Sequence, residues 1–175
     1  MENILEKCYQ DLLKSDLLPE DLVVYERKKI HQIIERISKD RKVGDFLLKD
    51  GTSVTEAPTD ISQIEGIWLS ENCVAAPCLS KKKLSFDEAK KFCLRQRILG
   101  IPLQLPSDVR VPSIAREQLR KVGFDTFQNV FYWSSLPVLG PQDDLYAVWN
   151  PFSFELNYFF AEQKTWCYAV LELPD

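Results

Sequence analysis

The sequence predicts an α+β protein in two parts: a helical hairpin over residues 1–42 and a domain of strands and two helices over residues 43–175. Three observations predict this division. Before Val43, apolar residues recur at the three- and four-residue steps of an amphipathic helix. After it, short apolar runs are bounded by glycine, proline and aspartate, as strands are. Between those runs, residues 85–97 and 113–122 return to helical spacing.

The hairpin prediction rests on two apolar stripes separated by Pro19, which disrupts a helix interior but fits a first turn. The first helix covers about residues 2–17, and its apolar stripe consists of Ile4, Leu5, Cys8, Leu12 and Leu13. The second covers about residues 20–40, with an apolar face of Val23, Ile30, Ile33, Ile34 and Ile37. We expect this hairpin to be a tether or an oligomerisation element, which leaves a homo-oligomer through residues 1–42 open.

The strand predictions in the larger domain follow from short apolar or alternating runs. Phe46 to Leu48 precedes the hairpin-type turn Asp50-Gly51, and residues 64–70 form a second apolar run. Four more segments have strand character: "VFYWSS", "LYAVWN", "FELNYFFA" and "TWCYAVLEL". Two helices separate these groups. Ser85 and Glu88 form a capping box for the first helix, and Ser107 or Ser113 caps the second.

Composition and charge exclude some classes of partner. The chain has 175 residues and a net charge of -4, which argues against a nucleic-acid binder because such proteins carry basic stripes. Residues 122–175 hold seven acids and one base, Lys164. An acidic, aromatic-rich segment suits sugars, cations or a basic protein face.

The start of the chain has acidic residues from position 2 and no apolar run typical of a signal peptide. A cytoplasmic location is therefore expected, or a cell-surface or secreted one if a native leader is missing. No apolar run reaches membrane-spanning length, so we expect no membrane insertion.

The order of motifs resembles a known bacterial family. The chain contains in order "VGDFLLKDGTSVTE", "LSFDEAKKFC", "LQLPS", "FYWSS", "LYAVWNPFSFELNYFF" and "WCYAVLEL". This series is similar to the fimbrillin-associated and major-paralogous-domain family, whose members have a C-type lectin-like fold. The similarity covers about residues 43–172. Leu103 and Gln104 depart from it, because the family often has tryptophan and arginine there.

The resemblance implies two helices beside a small twisted antiparallel sheet, with a long loop over residues 136–152. It also implies a disulfide between a cysteine of the first helix and one of the last strand, positions that Cys93 and Cys167 occupy. Calcium-dependent lectins carry further motifs, for which this chain has "GPQDD" and "VWNPF". That set is too small for the six to eight oxygen ligands of calcium, so we expect no metal and no cofactor.

Catalytic constellations are absent from the sequence. Ser134 and Ser135 have no histidine nearby, because His31 is the only one and belongs to the hairpin. Glu155 and Glu162 are expected to be solvated surface charges. Cys73 and Cys78 lack the spacing of a zinc site or of the cysteine pair in formylglycine-generating enzymes, which share this broad fold.

The sequence therefore predicts a non-catalytic binding module that recognises a protein or glycan through the loop face. The alternative is a structural subunit of a surface or phage-like appendage, and an enzyme is disfavoured. The candidate ligand-binding residues are Asp143, Asp144, Tyr146, Trp149 and Asn150.

Overall fold

The computed structural model describes residues 33, 37, 41–107, 111–124, 128–138, 144–153 and 155–173. The described strands are β1 (Phe46–Leu48), β2 (Ser53–Val54), β3 (Ile64–Ser70), β4 (Cys73–Leu79), β5 (Arg97–Ile98), β6 (Ile101–Pro102), β7 (Tyr132–Pro137), β8 (Leu145–Trp149), β9 (Leu156–Phe160) and β10 (Tyr168–Glu172). The α-helices are α1 (Phe86–Arg95) and α2 (Ser113–Lys121), and a 3-10 turn covers Ile61–Gln63.

The strands form three antiparallel sheets. The largest has the order β10-β4-β3-β1-β2, which places the last strand of the chain beside β4. The second sheet has the order β7-β8-β9, and β5 and β6 form a two-stranded ribbon. In the three-stranded sheet, β9 lies at an edge and pairs with β8 in continuous register from Leu145↔Phe160 to Trp149↔Leu156.

The α+β fold class, and the C-type lectin-like architecture with it, is wrong. Over the described residues from Arg41 onward the protein is mostly β, with ten strands in three antiparallel sheets and two α-helices of ten and nine residues. Helical periodicity located both helices but overstated their share of the fold. Two-residue strands such as Ile101–Pro102 are too short to show alternation, so the sequence pattern does not predict them.

The predicted helical hairpin falls largely outside the described residues. Ile33 and Ile37 are described and helical, and Ile37 is 1% exposed within the main apolar cluster. The second helix of the domain also differs in detail from the prediction, because Pro112 is its N-cap and no side chain caps it. The first helix confirms the predicted capping box, in which Ser85 and Glu88 bond each other's backbone N–H groups.

The five-stranded sheet is buried on both faces, since its strands send alternate side chains to opposite sides. On β4, Val74 and Ala76 belong to one apolar cluster, and Cys73 and Ala75 belong to the other. The first cluster includes α1 and residues of the three-stranded sheet. The second includes Ala115 and Leu119 of α2. The sheet therefore lies between two layers.

Trp133 lies in the first cluster and joins α1 to the three-stranded sheet within one layer. Its side chain is fully buried, and its indole N–H donates to the carbonyl of Leu84 at 2.8 Å. Its ring meets Phe86 of α1 edge-on at 5.5 Å and Phe159 of β9 at 6.0 Å. One side chain thus fixes α1 and the three-stranded sheet against each other.

The two serines that follow Trp133 bond to the backbone. Ser134 is fully buried, its hydroxyl donates to the carbonyl of Ala147, and it accepts from the N–H of Leu136. Ser135 donates through its N–H and its hydroxyl to the carbonyl of Pro106. Both hydroxyls therefore stabilise the path of β7, which continues to Pro137.

Cys93 of α1 and Cys167 before β10 meet in the core as free thiols. Both are fully buried, and the Cys93 thiol lies 3.6 Å from the carbonyl oxygen of Tyr168. Burial, followed by a hydrogen bond with the Cys167 thiol, raises the pKa of Cys93 well above its ordinary range. Side-chain contact between these two cysteines places the start of β10 against α1.

Replacing Trp133 with alanine should lower the free energy of unfolding by about 3–5 kcal/mol, because the change leaves a large core cavity. Ser135→Ala is the control in the same strand and should cost about 0.5–1.5 kcal/mol at most. Urea unfolding of both variants measures the difference. A loss for Trp133→Ala as small as that of the control would contradict the central position of this side chain.

Stability should also fall at alkaline pH because of Cys93. Its raised pKa means that the folded state retains a proton that the unfolded state loses above about pH 8.5. The contribution of this proton to the free energy of unfolding is complete below that pH. It declines as the pH rises toward the pKa of the folded state, by up to about 1.4 kcal/mol per pH unit. Cys93→Ala should show a shallower decline in urea unfolding, and identical slopes would refute the assignment.

Candidate functional site

The described members of the predicted ligand-binding set do not converge on one site. Asp143 lies outside the described residues. Asn150 is 6% exposed, and its amide donates to Asn129 while its carbonyl oxygen accepts from the N–H groups of Phe152 and Ser153. Through these hydrogen bonds, the Asn150 side chain stabilises the turn between β8 and β9, so its role is structural.

Trp149 and Tyr146 are half-buried on β8 and lie on opposite faces of the strand, because they are three residues apart. The indole nitrogen of Trp149 is buried and has no hydrogen-bond partner among the described residues. Tyr146 stacks on Phe86 of α1 with ring centroids 3.5 Å apart. Tyr146 therefore contributes to packing as well as to the surface beside it.

A pocket of about 410 Å³ lies between α1, the segment before Ser107, β7, β8 and the end of β10. Its lining mixes apolar and polar side chains: Phe86, Lys90, Leu94, Gln104, Leu105, Ser107, Ser135, Pro137, Tyr146 and Glu172. We call this the larger pocket. Sequence analysis found Tyr146 but missed the rest, because these residues come from five separate segments of the chain.

The polar groups of the larger pocket bond mainly to each other. One carboxylate oxygen of Glu172 accepts from the N–H and the hydroxyl of Ser107, and the other accepts from the amide of Gln104. These bonds tie the end of β10 to the segment before Ser107. A ligand would meet a carboxylate that already has three donors.

A smaller cleft of about 350 Å³ lies beside the N-terminal end of α1. Its described lining consists of Ser85, Asp87, Asp144, Phe160, Ala161 and Glu162, and we call it the acidic cleft. It contains three carboxylates and no basic side chain among these residues. Burial, and then the carboxylates of Asp144 and Asp87, raise the pKa of the nearby Tyr146 hydroxyl.

The outward face of the three-stranded sheet carries exposed apolar residues, which the sequence analysis did not predict. Leu156, Tyr158 and Phe160 occupy alternate positions of β9, so they share one face, and they are 48%, 48% and 44% exposed. We call these three residues the β9 patch. Phe159, between two of them, instead packs inward against Trp133. An antiparallel sheet with one solvated face normally carries polar residues there, whereas this face is apolar.

The apolar character continues onto the neighbouring strand. The register sets Leu156 opposite Trp149, Tyr158 opposite Ala147 and Phe160 opposite Leu145. Directly opposed residues of two strands project from the same face. The β9 patch is therefore the exposed edge of a wider apolar face.

The described residues show no group of three or more histidine, cysteine, aspartate or glutamate side chains placed to hold a metal ion. Within the same residues, no helix has both the length and the apolar character needed to cross a bilayer.

Tyr146→Ala should destabilise the protein, because Tyr146 stacks on Phe86. The loss of that aromatic pair alone should cost about 0.5–1.5 kcal/mol in the free energy of unfolding. Tyr146→Phe keeps the stack and removes only the hydroxyl, so it should retain the stability of the parent protein. Urea unfolding compares the three proteins, and equal losses in both variants would show that the hydroxyl, not the stack, matters.

No protein-family model matches the chain, and no curated protein matches it.

Proposed function

We propose that the chain is a non-catalytic binding module and that it recognises another protein through the apolar face centred on the β9 patch. The observation that carries this proposal is the exposure of Leu156, Tyr158 and Phe160 together on one face of an ordered edge strand. Soluble proteins rarely leave adjoining large apolar side chains exposed unless these contact a partner.

The position of the β9 patch supports this function. Its strand is anchored from below, because Phe159 packs on Trp133 and on Phe131, the latter with ring centroids 6.0 Å apart. Five register pairs join it to β8. A strand that is paired along its length and packed on the core loses less backbone entropy when it binds a partner.

A glycan is less well supported as the ligand. The larger pocket would be its natural site, since it has aromatic and polar lining residues. However, Glu172, Ser107 and Gln104 already bond to each other, and Ser135 bonds to Pro106. A sugar would have to compete for these groups. The alternative of an assembly subunit joined through residues 1–42 depends on residues that are mostly outside the described part of the chain.

Selection from a displayed library of random peptides, in parallel with a glycan array, tests this proposal. We expect the selection to yield peptide ligands. Their affinity should fall at least about tenfold, which is about 1.4 kcal/mol, for the double variant Leu156→Thr/Tyr158→Thr. Threonine retains strand propensity, so the free energy of unfolding should change by only about 0.5 kcal/mol.

The matched control is Ile61→Thr, because Ile61 is also 47% exposed but lies in the 3-10 turn outside the three-stranded sheet. This control should leave the affinity unchanged. Ligands that bind the double variant as well as the parent protein, or glycans bound irrespective of the β9 patch, would overturn the proposal.

A further inference from the structure

The sequence that contains the β9 patch is acidic, although a basic side chain from elsewhere in the chain, Arg116 of α2, lies 4.4 Å from the ring of Phe152 in the turn before β9. From Val122 to Gln163 the sequence contains five acidic residues and no lysine or arginine. Three of these acids, Asp144, Glu155 and Glu162, are described and exposed. Glu155 directly precedes β9, and Asp144 and Glu162 lie at its other end, where the N–H of Ala161 donates to the carbonyl of Asp144. Acidic residues thus flank both ends of the apolar strand.

The β9 patch and the acidic cleft also share a side chain. Phe160 is the last residue of the patch and one of the residues that line the cleft. Beyond it, the cleft holds Asp87, Asp144 and Glu162. Lys164 is not among the described lining residues, and its ammonium group forms an ion pair with Glu88 at 3.9 Å. When a partner covers Phe160, the side chain that it places next to this contact therefore lies beside three carboxylates.

The free edge of β9 is not the binding element. Asn150 donates to Glu155, and Ala161 donates to Asp144, so odd-numbered residues of this segment point their backbone groups toward β8. The N–H groups of Tyr158 and Phe160 consequently face the free edge. The side chains of Asn157 and Gln163 already cap them, at 2.8 and 2.7 Å. An added strand would have to displace both caps, so a partner meets the face instead.

A second copy of this chain fits the face poorly. A two-fold interface brings the same surface of each copy together. The exposed Asp144, Glu155 and Glu162 of one copy would then approach the same three carboxylates of the other, and Arg116, the cation beside Phe152, supplies only one positive charge per copy against them. Like charges across an interface weaken binding, so charge complementarity requires a partner of opposite sign.

We propose that the partner is a basic, amphipathic protein segment whose apolar side chains cover the β9 patch and whose lysine or arginine enters the acidic cleft. This inference rests on the proposed function and adds the chemistry of the partner. The cationic side chain would donate charge-assisted hydrogen bonds to the carboxylates of Asp87, Asp144 and Glu162, beside the ring of Phe160.

Three short fluorescent peptides serve as probes: alternating leucine and lysine, alternating leucine and glutamate, and alternating serine and lysine. Fluorescence anisotropy measures their dissociation constants with the full chain. The leucine–lysine peptide should bind about tenfold or more tightly than either of the others, since it alone supplies both the apolar and the cationic groups. Its affinity should fall as salt is added.

The variant Asp144→Asn/Glu162→Gln removes two charges of the acidic cleft and should weaken binding of the leucine–lysine peptide about tenfold. The matched control is Glu56→Gln/Glu71→Gln, which removes two exposed acids outside the three-stranded sheet and should not change the affinity. The double variant Leu156→Thr/Tyr158→Thr should weaken binding of the same peptide, although its acidic cleft is unchanged.

The outcomes separate the two proposals. If the cleft variant binds like its control, or the leucine–glutamate peptide binds equally well, the basic partner is wrong although the protein-binding face stands. If Leu156→Thr/Tyr158→Thr binds like the parent protein, the protein-binding face itself is wrong. If the parent protein sediments as a dimer that this variant dissociates, a second copy occupies the face and the basic partner is wrong.

Discussion

The fold depends on burial of the five-stranded sheet on both faces. Its central strands carry apolar residues at consecutive positions, so neither face can be left to water. On one face α2 covers the sheet, and on the other α1 and the three-stranded sheet do. Cys93 and Cys167 meet on that second side, where the last strand returns beside β4. The positions of α1, α2 and the three-stranded sheet therefore follow from the need to cover both faces of the five-stranded sheet.

The same requirement explains why the three-stranded sheet exposes an apolar face. Its inner face is used to cover the larger sheet, through Trp133, Val148 and Phe159. Its outer face then has no described layer over β9, although it is as apolar as an inner one. The core accounts for Phe159 but not for Tyr158 or Phe160. A surface that packing does not explain is the natural place to look for a partner.

Acidic residues distinguish that surface from a purely apolar one. The described acidic residues near β9 are exposed and lie at the ends of the strand, outside the apolar core. Side-chain caps on the N–H groups of Tyr158 and Phe160 protect the edge from additional strands. An edge closed to strand pairing beside an open apolar face favours docking of side chains over extension of the sheet. The proposed binding is thus compatible with protection of the strand edge.

The sequence by itself determined most element positions, because periodicity and capping are local: α1 with its Ser85–Glu88 box, and strands such as β3 and β9, lie where the patterns predict. It also showed the acidic C-terminal third. It did not determine the fold class, since the share and pairing of strands depend on contacts distant in sequence. Only the tertiary structure decided which apolar residues stay exposed, because alternation along β9 separates two faces without telling which one the core covers.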